Sequence, residues 1–198
     1  MTTRRLAQRA GPAPGTTPDA VRTLPSDKAA ASTAAGTAAV ERDAARLGEL
    51  LRRRGWRLAS AESCTGGMIA AACTALAGSS DWFECGWVTY SDAAKTGSLG
   101  VPAALIETHG AVSEPVACAM AAGALARSQA RLAVAVTGIA GPGGAVPGKP
   151  VGTVWLALAE AETAPRAERL QLAGDRATVR AETVRIALQR LVARAEGA

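Results

Sequence analysis

Four short stretches of this chain carry the side chains and glycines from which chemistry could be built. The first is Ala61-Glu62-Ser63-Cys64-Thr65-Gly66-Gly67, where a short strand, Arg57 to Ala61, hands over to a helix of small residues expected from Gly66 to Ala77. Glycines let a substrate approach the backbone, and N–H groups at a helix start hold an oxyanion or a phosphate. The same composition also suits a plain capping turn, with Ser or Thr bonded to free amides. The second stretch, Tyr90-Ser91-Asp92-Ala93-Ala94-Lys95, contains the only tyrosine and one of the two lysines beyond residue 40. Arginine far outnumbers lysine in the chain, so a retained lysine raises the question of a base. Desolvation can tune an ammonium to lose its proton near neutral pH, which a guanidinium does not do. An exposed helical lysine is the alternative.

The third stretch, Thr137-Gly138-Ile139-Ala140-Gly141-Pro142-Gly143-Gly144, is glycine-rich enough to cradle a phosphate with successive amides. It is neither a Walker A loop, because no G-K-[ST] follows, nor G-x-G-x-x-G. The fourth, Lys149-Pro150-Val151-Gly152-Thr153, brings a second lysine to the start of the next strand. A long turn between strands is the simpler reading of both.

The elements that must position these stretches follow from periodicity. Residues 1–40 are Ala, Thr, Pro, Gly and Ser with isolated charges, too poor in large apolar side chains to offset their ordering entropy, and are expected to form a disordered extension. The folded domain is expected over residues 41–198, opening with Leu47, Leu50 and Leu51 at helical spacing up to Gly55. Strands are expected at Glu84–Tyr90, Arg131–Val136, Gly152–Ala159 and Arg166–Leu172, and helices at Asp92–Leu99, Pro102–His109, from Ser113, and from Asp175. Helices alternating with apolar strands predict an α/β fold, a three-layer α/β/α sandwich, and the consecutive late strands make its sheet mixed. In such sheets ligands bind beyond the carboxyl ends of strands, where the loops after Ala61 and Val136 fall.

Composition narrows the classes further. Hydrophobic residues are 48% and charged residues 20%, as in a chain that buries a core. The net charge of +5 is concentrated in the first forty residues, and the six aromatics are scattered, so the basic stripe with stacking platforms expected of a nucleic-acid binder is missing. Cys64, Cys73, Cys85 and Cys118 form no C-x-x-C pair, and the single histidine, His109, stands at no zinc-ligand spacing, so no metal site is expected. No apolar run reaches the roughly 20 residues that cross a bilayer, and with no secretory signal the expected setting is the reducing cytoplasm. Helical faces rich in alanine and glycine suit close packing within the chain or in a homo-oligomer.

Taken in order, Ala61–Gly67, Trp87-Val88-Thr89-Tyr90-Ser91 with Lys95, Leu99-Gly100-Val101, His109 to Val116, Thr137 to Pro142, and Lys149 to Trp155 resemble the CinA C-terminal domain family, from about Glu41 to Ala195. The resemblance implies an α/β/α fold and a nicotinamide-mononucleotide deamidase, an amidohydrolase of pyridine nucleotide salvage. Such an enzyme releases ammonia and nicotinate mononucleotide with neither metal nor cofactor. It also implies Ser63 as nucleophile, Lys95 as its base and Tyr90 as a third member of the catalytic group. Thr65, Gly66, Gly67, Thr137, Gly138, Gly141 and Lys149 would then bind the nucleotide substrate, with amides at the start of the Gly66 helix, joined by Thr65, holding the oxyanion. Larger relatives carry a further N-terminal pyrophosphatase-like domain, which residues 1–40 are too short to encode. The rival reading is a non-catalytic nucleotide-binding module of the kind linked to competence or DNA damage. A Ser–His pair would need His109, which sits in a loop before a helix.

Overall fold

A computed structural model describes residues 27–197, with side chains from residue 35. Its helices are α1 (Asp27–Arg54), α2 (Met68–Thr74), α3 (Asp92–Leu99), α4 (Ala103–His109), α5 (Glu114–Ala126) and α6 (Arg176–Glu196). Its strands are β1 (Leu58–Glu62), β2 (Phe83–Val88), β3 (Leu132–Gly138), β4 (Thr153–Glu160) and β5 (Arg166–Gln171), in the order β2-β1-β3-β4-β5. β1 runs parallel to β2 and β3, while β4 and β5 are antiparallel, so the sheet is mixed as expected.

The central strand β3 dictates the layering. Successive side chains on a strand point to opposite faces, and β3 alternates large with small. Leu132, Val134 and Val136 join Leu47 and Leu51 of α1, Ile69 and Cys73 of α2, and Leu188 and Leu191 of α6 in one core. Ala133 and Ala135 join Leu99 of α3, Ile106 of α4 and Val116, Met120 and Ala124 of α5 in the other. Helices therefore cover both faces, which gives the three-layer sandwich.

The alanine face brings α5 in so closely that a glycine becomes obligatory. A Cβ on Gly123 would stand 2.1 Å from the carbonyl oxygen of Leu99, a backbone atom that no rotamer change can move. Gly123→Ala should destabilise the domain by about 1–3 kcal/mol, as overpacking does, and lower the melting temperature by about 2–12 °C at this size. Calorimetry on the variant measures this; a melting point within a degree of the parent would mean that α5 and the end of α3 part freely.

Two boundaries differ from the expectations. Helix α1 begins at Asp27, before the expected domain start at Glu41, and Val40 packs against the first core because it extends the apolar stripe of Ala44, Leu47 and Leu51 by one more turn. The rest of the expected extension, residues 1–26, lies outside the described residues. Helix α2 starts at Met68 rather than Gly66, because Gly66 and Gly67 have φ of 62° and 95° and so hold the chain in the left-handed region. Among the described residues no helix is long and apolar enough to cross a membrane.

Candidate active site

Glu62, the last residue of β1, stands opposite Val88 of β2 and Val136 of β3. The segments that follow these three parallel strands therefore emerge on one edge of the sheet. That is the edge where open α/β sheets bind ligands.

Alternation along β1 sends two consecutive residues to opposite layers. Ala59 and Ala61 lie in the alanine-lined core under α3 and α5. The Ser63 amide donates to Val136 O at 3.0 Å, so the ladder continues one residue past β1 and Ser63 turns toward α3 while Glu62 turns toward α2. On α3, whose first turn is capped by the Ser91 hydroxyl accepting from the Ala94 amide at 3.1 Å, Lys95 reaches back into the same space. Its Nζ lies 3.4 Å from Ser63 Oγ and donates to Thr89 O at 3.0 Å. The Asp92 carboxylate is 3.9 Å away, but its own side chain is largely in solvent. Only 1% of Lys95 is exposed. Burial lowers its pKa from the ordinary value of 10.5, and the charge of Asp92 opposes that shift. A hydroxyl thus faces an amine that is driven toward its neutral, basic form.

Glu62 organises the loop around that hydroxyl. Its carboxylate is buried and accepts five hydrogen bonds: from Thr65 Oγ1 at 2.7 Å, the amides of Gly67 and Ile69 at 3.0 Å, the amide of Ala70 at 2.9 Å, and Ser60 Oγ at 3.3 Å. The Thr65 hydroxyl and the Gly67 amide, on residues expected to meet the substrate, are thus committed inside the loop. The Gly66 amide is also taken, by Ser63 O at 3.1 Å. From the other side Arg180 of α6 donates through Nε to Cys64 O at 3.1 Å and through Nη2 to Thr65 O at 2.8 Å. Of the amides from Ser63 to Gly67, those of Cys64 and Thr65 are bonded to no oxygen among the described residues.

The remaining expected residues spread along the same edge. Tyr90 is 59% exposed, and its hydroxyl accepts from Arg176 of α6, whose other terminal nitrogen donates to Gly141 O at 3.0 Å. Lys95 is thus held by the Thr89 carbonyl and not by Tyr90. Thr137 is buried, and its hydroxyl donates to Ala111 O at 2.9 Å, which fixes the loop before α5. Gly138 closes β3 against Val154, where a Cβ would stand 2.7 Å from that side chain. Gly141 takes φ of 87° beside a cis bond to Pro142. Lys149 donates to His109 O at 2.9 Å, so His109 serves here through its backbone. The structure brings Ser63 and Lys95 together, sets Tyr90 and Gly141 on the rim through Arg176, and places Thr137 and Lys149 among the supports of the surrounding loops.

The CinA C-terminal domain model matches residues 40–195. The chain belongs to the CinA C-terminal domain family. Against the nicotinamide-nucleotide amidohydrolase PncC of Pseudomonas putida it is 56% identical over 149 residues, 75% of this chain and 92% of that protein. A CinA-like protein of Citrifermentans bemidjiense is 58% identical over 143 residues, but these are 72% of this chain and only 34% of that longer protein. The crystal structure of the competence/damage inducible protein CihA from Agrobacterium tumefaciens superposes with a TM-score of 0.76 at 45% identity, over 78% of this chain and 94% of that one.

Three members of this CinA domain's site escaped the reading of the sequence. Glu62 stood inside the first motif without a role, although an acid just before a glycine pair and a helix is an acceptor for the helix's free amides. Arg176 and Arg180 gave no signal, because arginines are common in this chain and these two lie far along it from the loops they hold. The residue after Ser63 carries a thiol, which is intrinsically the stronger nucleophile. The structure packs Cys64 among Ala140, Val154 and Val179 at 5% exposure, and burial pushes its pKa up to about 11.

Proposed function

We propose that this chain is a nicotinamide-nucleotide amidohydrolase that converts nicotinamide mononucleotide to nicotinate mononucleotide and ammonia, with Ser63 as nucleophile and Lys95 as base. The observation that carries the reading is the buried Lys95 Nζ at 3.4 Å from Ser63 Oγ. The likeness to PncC across 92% of that enzyme supports the substrate class.

Neutral Lys95 takes the proton of Ser63, Oγ bonds to the carboxamide carbon, and the carbonyl π pair moves to oxygen. The amides of Cys64 and Thr65, adjacent to the nucleophile and without another oxygen acceptor, receive that oxyanion. Collapse breaks the C–N bond, and ammonia leaves with the proton from Lys95. Water then attacks the ester and Lys95 takes its proton; as the C–O bond breaks Lys95 passes that proton to Ser63 Oγ, and the product acid departs as its carboxylate with its proton lost to solvent. Tyr90 and Arg176 stand at the rim, where they meet the nucleotide rather than the reacting carbon, and Arg176 ties the Gly141 loop to them.

Ammonia release from nicotinamide mononucleotide by the purified chain is the test, followed across pH. Turnover should rise with pH as Lys95 loses its proton and level off above its pKa, below the ordinary lysine value of 10.5. A rate that falls as pH rises through this range would exclude a neutral amine as the base. Tight binding of the nucleotide with no ammonia would favour a sensing module.

A further inference from the structure

The Ser63–Gly66 turn is gripped from outside by one side chain, and the geometry of the grip reaches the reaction. Gly66 N donating to Ser63 O closes a turn whose central residues are Cys64 and Thr65. The peptide joining those two residues has its carbonyl held by Arg180 Nε at 3.1 Å, and the next carbonyl, of Thr65, is held by Nη2 at 2.8 Å. A trans peptide is planar, with C=O and N–H pointing in opposite directions. Fixing the Cys64 carbonyl toward α6 therefore fixes the Thr65 N–H away from α6.

Among the described residues no other hydrogen bond reaches this peptide's carbonyl. The Glu62 carboxylate holds the loop from Thr65 Oγ1 and Gly67 onward, and the β3 ladder holds it up to Ser63. The Cys64–Thr65 peptide lies between these two anchors at the centre of the turn, and Arg180 makes the hydrogen bond that sets the direction of its carbonyl. Arginine suits the task because two of its donors leave one rigid plane and meet two carbonyls at once, which a lysine ammonium cannot do at fixed geometry. Val179 beside it, fully buried against Cys64, anchors the start of α6 at the correct height.

We infer that Arg180 is a positioning residue for catalysis: it sets the Cys64–Thr65 peptide so that the Thr65 amide is preorganised as an oxyanion donor. The inference rests on the Ser63–Lys95 amidohydrolase reading above. Preorganised donors act on the charge that develops in the transition state, so their loss lowers kcat while KM is kept.

The test uses the full chain with nicotinamide mononucleotide. Its Arg180→Ala and Arg180→Lys variants are each normalised to the fraction of Ser63 that a fluorophosphonate labels, so that unfolded molecules do not count. Arg180→Ala should lose about 100-fold in kcat, in the range seen when one oxyanion donor is removed, with KM within about threefold of the parent. Millimolar guanidinium should restore part of that loss, whereas sodium chloride at the same ionic strength should not. Arg180→Lys, which retains the charge and loses the fork, should fall between the parent and Arg180→Ala, and it carries the test if the alanine variant does not fold. A normalised kcat equal to the parent's in both variants overturns the inference. So does a rise in KM at unchanged kcat, which would make Arg180 a substrate-binding group. Failure of the underlying reading is recognised separately, since the parent chain itself would then release no ammonia or Ser63→Ala would be as active as the parent.

Discussion

Ser63→Ala should lower turnover of nicotinamide mononucleotide by at least about 1,000-fold, and Lys95→Met should do nearly the same, because nucleophile and base act as one unit. The double variant should then be scarcely worse than either single one. Methionine is the better probe at 95, since the residue is 1% exposed and an alanine would leave a cavity in its place. Cys64→Ala should keep turnover within about tenfold, which corresponds to about 1.4 kcal/mol of transition-state stabilisation. Two features of the thiol argue for this. Burial raises its pKa to about 11, so that the thiolate is scarce at neutral pH, and it packs among Ala140, Val154 and Val179 while Ser63 turns to the opposite layer. Steady-state ammonia release by folded variants decides the matter. A dead Cys64→Ala beside an active Ser63→Ala would transfer the nucleophile to the thiol, and additive losses in the double variant would separate Lys95 from the step that Ser63 performs.

The parts of this site that could be read from the sequence are those whose chemistry is local. Ser63 follows a strand with a glycine pair after it, and Lys95 stands one helical turn into a segment that Ser91 opens, so each announced itself within a few residues. The layering was legible as well, because β3 writes its two faces as Leu132, Val134, Val136 against Ala133, Ala135. What escaped depends on the approach of distant segments. Arg180 acts on carbonyls 115 and 116 residues earlier in the chain, and Arg176 on a tyrosine 86 residues earlier. No periodicity within α6 marks those two arginines apart from Arg185, which pairs with Glu182, or Arg190, which pairs with Glu168. The start of α2 was misplaced for a different reason. Serine and threonine before a helix suggest a hydroxyl cap, but two left-handed glycines delay the helix, and the amides are taken by a carboxylate from the strand itself. The expected domain start at Glu41 missed the turn of α1 that brings Val40 to the core, since one valine among alanines and threonines is a weak apolar signal.

Glu62 gives the second large effect, and its variants separate two ways in which a carboxylate beside a nucleophile can matter. Removing it in Glu62→Ala leaves the buried amide of Ile69, the half-buried amides of Gly67 and Ala70, and the hydroxyls of Thr65 and Ser60 without their acceptor. Orphaned buried donors cost about 1–3 kcal/mol each where water does not reach them, and loss of a helix cap alone about 1 kcal/mol. Allowing for water entering the loop, a net loss of roughly 3–5 kcal/mol is expected, or about 6–20 °C in melting temperature for a domain of this size. Turnover should fall with it, because Ser63 is the next residue and loses the anchor that separates it from α2. Glu62→Gln keeps the volume and one acceptor. With the glutamine oxygen toward Thr65, Gly67 and Ile69, its NH2 faces the Ala70 amide, an opposed pair of donors, while Ser60 Oγ can turn to accept. The glutamine variant should therefore keep most of the stability and a substantial part of the activity. A carboxylate acting as general base predicts otherwise, since glutamine takes up no proton and would be as inactive as alanine. Melting curves and kcat measured on both variants below their transitions decide between the roles. Equal inactivity of folded Glu62→Gln and Glu62→Ala would move the base from Lys95 to Glu62.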